Sequence, residues 1–197
     1  MHPAIDATSE MPGQGASTTA LAGATLAFLA LYGALAAPGL WEDAAAAGIP
    51  AVSILLAAVL AACSAIDVYR YRLPDVLTLP LAAAGLLVSS ATGAVPLWWS
   101  AVSAALGFLL LAGVACAYRY VRGRAGLGLG DAKLLAASGA WLGAGALPTV
   151  LLWATGSALM CVLLAARRNA RLTGASHLPF GPFLAFGTWL VWLYGPL

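Results

Sequence analysis

The sequence predicts an all-α, polytopic transmembrane bundle of about seven helices, a six-helix core preceded by one additional amino-terminal helix. Of 197 residues, 62% are hydrophobic, and nine Lys plus Arg with seven Asp plus Glu make only 16 charges. That is far from the composition of a soluble domain. The apolar residues are gathered into blocks long enough to cross a bilayer. Within the blocks, apolar and polar residues do not alternate as barrel strands require, so helices are the elements that satisfy every backbone group in hydrocarbon.

Residues 1–17 are polar, carry Asp6 and Glu10 without a Lys or Arg, and read as a disordered cytoplasmic tail. The first span covers 18–37 and, with the external loop after it, makes residues 18–48 an addition ahead of the core at 49–197. A signal peptide is the competing reading, because ALAA at 34–37 offers small residues for cleavage. The missing basic amino-terminal region and the long apolar stretch argue against it. The second span, 49–67, closes on Asp67 just before Arg70 and Arg72. The third, 75–93, is entered through Pro74, which suits a first helical turn, and Asp75, whose charge suits the helix dipole. Spans at 95–118, 130–145, 147–166 and 180–196 follow, the fifth opening beside Asp131. Trp98, Trp99, Trp189 and Trp192 are expected to anchor at the membrane interface.

Charge orients the bundle. The basic residues form three groups: Arg70 and Arg72; Arg119, Arg122, Arg124 and Lys133; and Arg167, Arg168 and Arg171. These are alternate loops, and the loops near Trp41, Gly93 and Gly145 contain no Lys or Arg. The positive-inside rule therefore puts the amino terminus in the cytoplasm, the carboxyl terminus outside, and both Asp67 and Asp131 near the cytoplasmic face.

Several chemistries are disfavoured. Cys63, Cys116 and Cys161 form no CxxC pair and read as small core residues, while His2 and His177 are the only histidines. Neither a zinc cluster nor an HExxH site is indicated, and no metal, organic cofactor or nucleic-acid partner is expected. His177 reads as a loop residue. The run GLGLGD lacks GxGxxG spacing and a following Lys-Ser or Lys-Thr, which makes phosphate cradling a poor reading. Gly126, Gly128 and Gly130 offer backbone freedom instead: positive φ, and room for an extended chain to approach Asp131. Flexible-loop or close-packing roles are the plainer alternative for those glycines.

An ionisable group within a membrane protein is by default a functional candidate. Asp67 and Asp131, 131 − 67 = 64 residues apart, each end or begin an apolar stretch. Asp67 has a plain alternative in an ion pair with Arg70, and Asp131 in a helix amino terminus that favours an anion. Their joint presence at one membrane face points to aspartic peptidase chemistry. Lys133 is two residues beyond Asp131 on another helix face, so it is expected to snorkel to lipid phosphate or to meet substrate rather than to pair with Asp131.

The segments SAIDVYRYRLPDVLTLPLAAAGLL, GLGLGDAKLLAASGAWLG and HLPFGPFLAFGTWL, in that order, strongly resemble the type IV prepilin leader peptidases, membrane aspartic peptidases of the GxGD class. The resemblance covers roughly residues 49–197. It implies cleavage of prepilin or pseudopilin leaders after a glycine, at the cytoplasmic face of the inner membrane, without a cofactor. By position, Asp67 and Asp131 match the family's two catalytic aspartates. Gly128 and Gly130 beside them, with Asp75 and Lys133, are the candidate substrate contacts, Asp75 being the leading third acid although a structural role suits it better. The implied mechanism is that of a carboxyl pair holding one proton, its charged member activating water and its protonated member polarising the scissile carbonyl.

The larger bacterial members carry an amino-terminal region with two CxxC pairs associated with methylation, and nothing in this chain corresponds to it, so methyltransferase activity is not expected. A presenilin-like GxGD protease is a competing enzyme, against which LPFGPF differs from the PAL motif. A small transporter or proton channel is the non-enzymatic alternative, and the internal symmetry that would favour it is not convincing. Ser138 and Ser176 lack the GxSG setting of a rhomboid protease.

Overall fold

The computed structural model describes residues 18–35, 49–93, 96–123, 128–167 and 179–197. Among them are seven α-helices and one 3₁₀ turn, in the order α1 (Thr18–Leu35), α2 (Ile49–Arg70), α3 (Asp75–Thr92), α4 (Leu97–Arg122), α5 (Leu129–Leu142), the 3₁₀ turn Ala144–Ala146, α6 (Leu147–Arg167) and α7 (Gly181–Tyr194). Four helical stretches, Ala51–Arg70, Asp75–Thr92, Leu97–Arg122 and Ala144–Arg167, are long and apolar enough to cross a membrane. The all-α membrane bundle expected from composition is therefore what forms. The expected tail at 1–17, the external loop at 36–48, Arg124, Gly126, Arg168, Arg171 and His177 lie outside the described residues.

Helix α5 is the centre of the bundle. It has 14 residues, nine of them buried, and α3, α4, α6 and α7 pack around it. Close approach is made possible by glycine. A Cβ on Gly139 would run into the carbonyl of Ser103, one on Gly107 into the carbonyl of Leu135, and one on Gly85 into the indole of Trp141. Small residues at these crossings let backbones meet, which is how helices associate where lipid is as apolar as any side chain.

Each crossing also satisfies a polar group in a dry place. Ser89 and Ser100 both donate to the Ala140 carbonyl, at 2.9 and 2.6 Å, and the Trp141 indole donates to the Leu81 carbonyl at 2.8 Å. Ser138 shares a hydrogen bond of 2.7 Å with Thr188, which accounts for it as a link between α5 and α7. Among the described residues no buried side-chain nitrogen or oxygen lacks a partner.

Two expectations need correction. Trp189 is buried in the core, stacked near Tyr32 of α1 and donating to the Tyr32 carbonyl at 2.9 Å, while Trp192 donates to the Ser53 hydroxyl. Trp189 is thus a core residue rather than an interfacial anchor, whereas Trp192 is half-buried and Trp98 and Trp99 are exposed. Of the cysteines, only Cys63 is a core residue, since Cys116 and Cys161 lie on outward faces. In an apolar chain, a residue that faces lipid and one that faces protein have the same hydropathy, so composition did not separate them.

Candidate active site

The ends of six helices gather at one pole: the carboxyl ends of α2, α4 and α6 and the amino ends of α3, α5 and α7. All six described basic residues, Arg70, Arg72, Arg119, Arg122, Lys133 and Arg167, belong to these ends or the turns beside them. Asp67 lies in the last turn of α2. The helix is closed by the Tyr71 amide, which donates to the Asp67 carbonyl at 2.8 Å, and Tyr71 then takes a left-handed backbone, φ 51°. That reversal sends Leu73 inward, where it is buried, and Pro74 (φ −74°, ψ 136°) starts α3 without needing a donor.

Asp131 is reached from the other side. Gly128 is the extended residue ahead of α5, with φ −80° and ψ 144°, and its carbonyl accepts from the Asp131 amide at 3.2 Å. An added Cβ on Gly128 would lie 3.6 Å from Asp131 Oδ2, so the carboxylate rests beside the backbone of that glycine. Both acids are buried, with 4% of Asp67 and 7% of Asp131 exposed. At that burial the two acids are shielded from bulk water, and charge–charge effects are stronger there than in solvent.

The glycines behave differently from expectation. Neither Gly128 nor Gly130 has positive φ; the described glycines that do are Gly93, Gly123, Gly143 and Gly195. Gly130 sits in the first turn of α5 against Leu73, whose Cβ would lie 3.0 Å from an added Cβ, so this position is closed by packing. Gly128 is exposed and has ordinary contact room. Of the two, Gly128 is the one with space beside it.

Lys133 and Asp75 find each other. The ammonium lies 2.5 Å from Asp75 Oδ1, across 58 residues of sequence, tying the second turn of α5 to the first turn of α3. Lys133 does not pair with Asp131, as expected from helix geometry, but neither does it point alone into headgroups. Asp67 takes its hydrogen bond from the backbone rather than from Arg70: the amide of Gly181 donates to Oδ2 at 2.9 Å.

Gly181 and Leu73 are the site residues that sequence reasoning missed. Gly181 is the first residue of α7, followed by Pro182, which is tolerated in a first turn. An added Cβ there would sit 2.7 Å from Asp67 Oδ2 and 3.0 Å from Leu73 Cδ1. The signal was present in LPFGPF, a glycine placed at a helix start ahead of proline, but nothing local tied it to an acid 114 residues earlier. Among the described residues, no group of three His, Cys, Asp or Glu side chains could hold a metal ion.

Similarity to known proteins follows the same lines. The chain is 42% identical over 144 residues to the prepilin leader peptidase/N-methyltransferase of Aeromonas salmonicida strain A449, covering 73% of this chain and 49% of that one. It is 45% identical over 133 residues to the protein of the same description from Dickeya chrysanthemi (68% and 47%), and 46% over 132 residues to that of Burkholderia pseudomallei strain 1026b (67% and 42%). The chain thus spans about half the length of the curated relatives it matches. No solved structure matches it. The model of the type IV leader peptidase family matches residues 54–165, more than half of the chain and inclusive of both aspartates, and the chain belongs to that family.

Proposed function

We propose that this chain is an aspartic endopeptidase of the inner membrane that removes the leader from type IV prepilins or pseudopilins, cutting after a glycine at the cytoplasmic face. The observation that carries the reading is the burial of both Asp67 and Asp131 at one pole of a membrane bundle, with Leu73 packed between Gly181, whose amide holds Asp67, and Gly130, next to Asp131. Burying two acids side by side is costly, and such a pair lowers the cost by sharing one proton. A shared proton is also what peptide hydrolysis needs.

The charged carboxylate takes a proton from water as its oxygen attacks the scissile carbonyl, and the protonated carboxyl gives its proton to the carbonyl oxygen. The tetrahedral intermediate then collapses. Its C–N bond breaks, the nitrogen receives a proton from the pair, and the amine and the new carboxyl leave. Each acid both takes and gives a proton over one cycle, so neither needs a metal.

The gathering of the described basic residues at the pole of the acids supports a cytoplasmic orientation by the positive-inside rule. Gly128, exposed beside Asp131, has room for the extended backbone around a scissile glycine. The Lys133–Asp75 pair stands at the edge of the same site and is partly exposed, within reach of a substrate's polar leader.

The test is leader removal by purified protein in lipid, followed by mass, on a panel of prepilins. Asp67→Asn and Asp131→Asn keep shape but lose proton transfer, and each should abolish processing while insertion and yield stay normal. Substantial turnover by either variant would sink the dyad. Proton flux without peptidase activity in the unmodified chain would favour a channel instead.

A further inference from the structure

We propose that Gly181 is a positioning residue for Asp67: the first amide of α7 fixes the orientation of the carboxylate, and the missing side chain is what lets the two meet. The proposal rests on the reading of Asp67 as a catalytic acid and goes beyond it by assigning a role to the LPFGPF segment.

Three observations converge. The Gly181 amide donates to Asp67 Oδ2 at 2.9 Å in a buried setting. A Cβ at that residue would collide with the same oxygen, at 2.7 Å, and with Asp67 Cγ and Leu73 Cδ1, both at 3.0 Å. Leu73, the buried residue of the α2–α3 turn, also lies against Gly130, one residue before Asp131. Leu73 is therefore wedged between the segments that carry the two acids, and Gly181 closes the wedge from the third side.

The chemistry gives the contact a purpose. An aspartate has two rotatable bonds, and a pair that must exchange a proton through water loses most of its rate when one carboxyl turns out of line. A main-chain donor cannot swing away as a side chain can. Its carrier is anchored as well: α7 packs by Gly187 against the Val150 carbonyl and by Thr188 onto Ser138 of α5, the helix of Asp131. The amide that orients one acid is thus held rigid relative to the helix that bears the other.

Gly181→Ala is the discriminating variant, and Gly156→Ala on α6 is its control. Both add one methyl to a helix, but the first would lie 2.7 Å from Asp67 Oδ2 while the second meets nothing within 4 Å. In nanodiscs with a prepilin peptide, Gly181→Ala should lower kcat by about 100-fold with KM changed less than about two-fold, while Gly156→Ala keeps kcat per folded molecule within about two-fold of the parent. Should Gly181→Ala fail to fold, the double variant Leu73→Ala with Gly181→Ala decides. It removes one collision and leaves that with Asp67, so it should fold and stay about 100-fold below Leu73→Ala alone.

A readout independent of turnover accompanies these. In protein labelled with ¹³C at aspartate Cγ, the Asp67 resonance, identified by its loss in Asp67→Asn, should move in Gly181→Ala and not in Gly156→Ala. The proposal is overturned if Gly181→Ala is folded with unchanged kcat, if the double variant recovers the rate of Leu73→Ala, or if the Asp67 resonance does not move. An unmodified chain that cleaves no prepilin while the resonance moves as expected would overturn the assigned function and leave the contact standing.

Discussion

Asp75 and Lys133 can be tested as a pair rather than as two residues. Their 2.5 Å contact joins side chains that are 56% and 31% exposed, so water and headgroups screen much of the attraction and both chains give up rotamer freedom to meet. Pairs of this kind contribute about 0.2–1 kcal/mol, which for a chain of this size moves the unfolding midpoint by no more than about 4 °C. The mechanical consequence is larger than the energetic one. Lys133 is two residues from Asp131, and without the tie to α3 the first turn of α5 is free to shift. A double-mutant cycle with Asp75→Asn and Lys133→Met, followed by thermal unfolding and by steady-state cleavage of a prepilin peptide, separates the possibilities. Either single change and the double change should each lower kcat/KM by about the same factor, roughly five-fold, because all three break one tie. If the two single losses multiply in the double variant and appear in KM, each residue touches substrate on its own and the tie is incidental.

Three further outcomes are expected. Trp141→Phe leaves the buried Leu81 carbonyl without its indole donor and should cost about 1–3 kcal/mol in denaturant unfolding; an unchanged midpoint would mean the carbonyl finds another partner. Replacing the glycine before the scissile bond of a prepilin by a bulky residue should block its cleavage, whereas removing leader charges should matter less, and efficient processing of the bulky substrate would contradict a close backbone approach to Asp131. Chelators should leave the initial rate unchanged, and a loss restored by added zinc would point to a metal that the carboxylate mechanism does not need.

The helices were legible because a bilayer demands long apolar blocks, and the blocks at 49–67, 75–93 and 147–166 end within a turn of α2, α3 and α6. Asp67 and Asp131 were legible for the opposite reason, as charges where charge is expensive. What lies between helices was not. Sequence spacing rejects a contact between Lys133 and Asp131 but says nothing of Asp75, 58 residues away. Trp189 was misplaced because an indole suits a membrane interface and a dry core equally, provided that its N–H has an acceptor, and the acceptor here is a backbone carbonyl on α1. Gly130 was read as an opening for substrate, and it serves as the floor on which Leu73 rests.

The crossing of α4 on α5 fixes how deep the acids lie. Gly107 against Leu135 and Ser103 against Gly139 set an antiparallel register that brings Asp131 level with Leu111, the last buried residue of α4. The helix continues for 11 residues, to Arg122, and so overhangs the dyad by about 16 Å. Likewise, Gly187 against Val150 and Ala154 leaves the carboxyl end of α6 overhanging α7 in the same direction, with Leu159, Leu163 and Leu164 exposed along it. Asp131 and, beside it, Asp67 therefore lie below the projecting ends of α4 and α6. On the proposed function a substrate has to reach past those ends, and a single extended strand is about half as wide as a helix some 10 Å across. Depth of this kind would select for flexibility: the proposed cleavage calls for a stretch that can unwind and be lowered in, so that folded proteins at the same membrane surface would be spared without any recognition of their sequence.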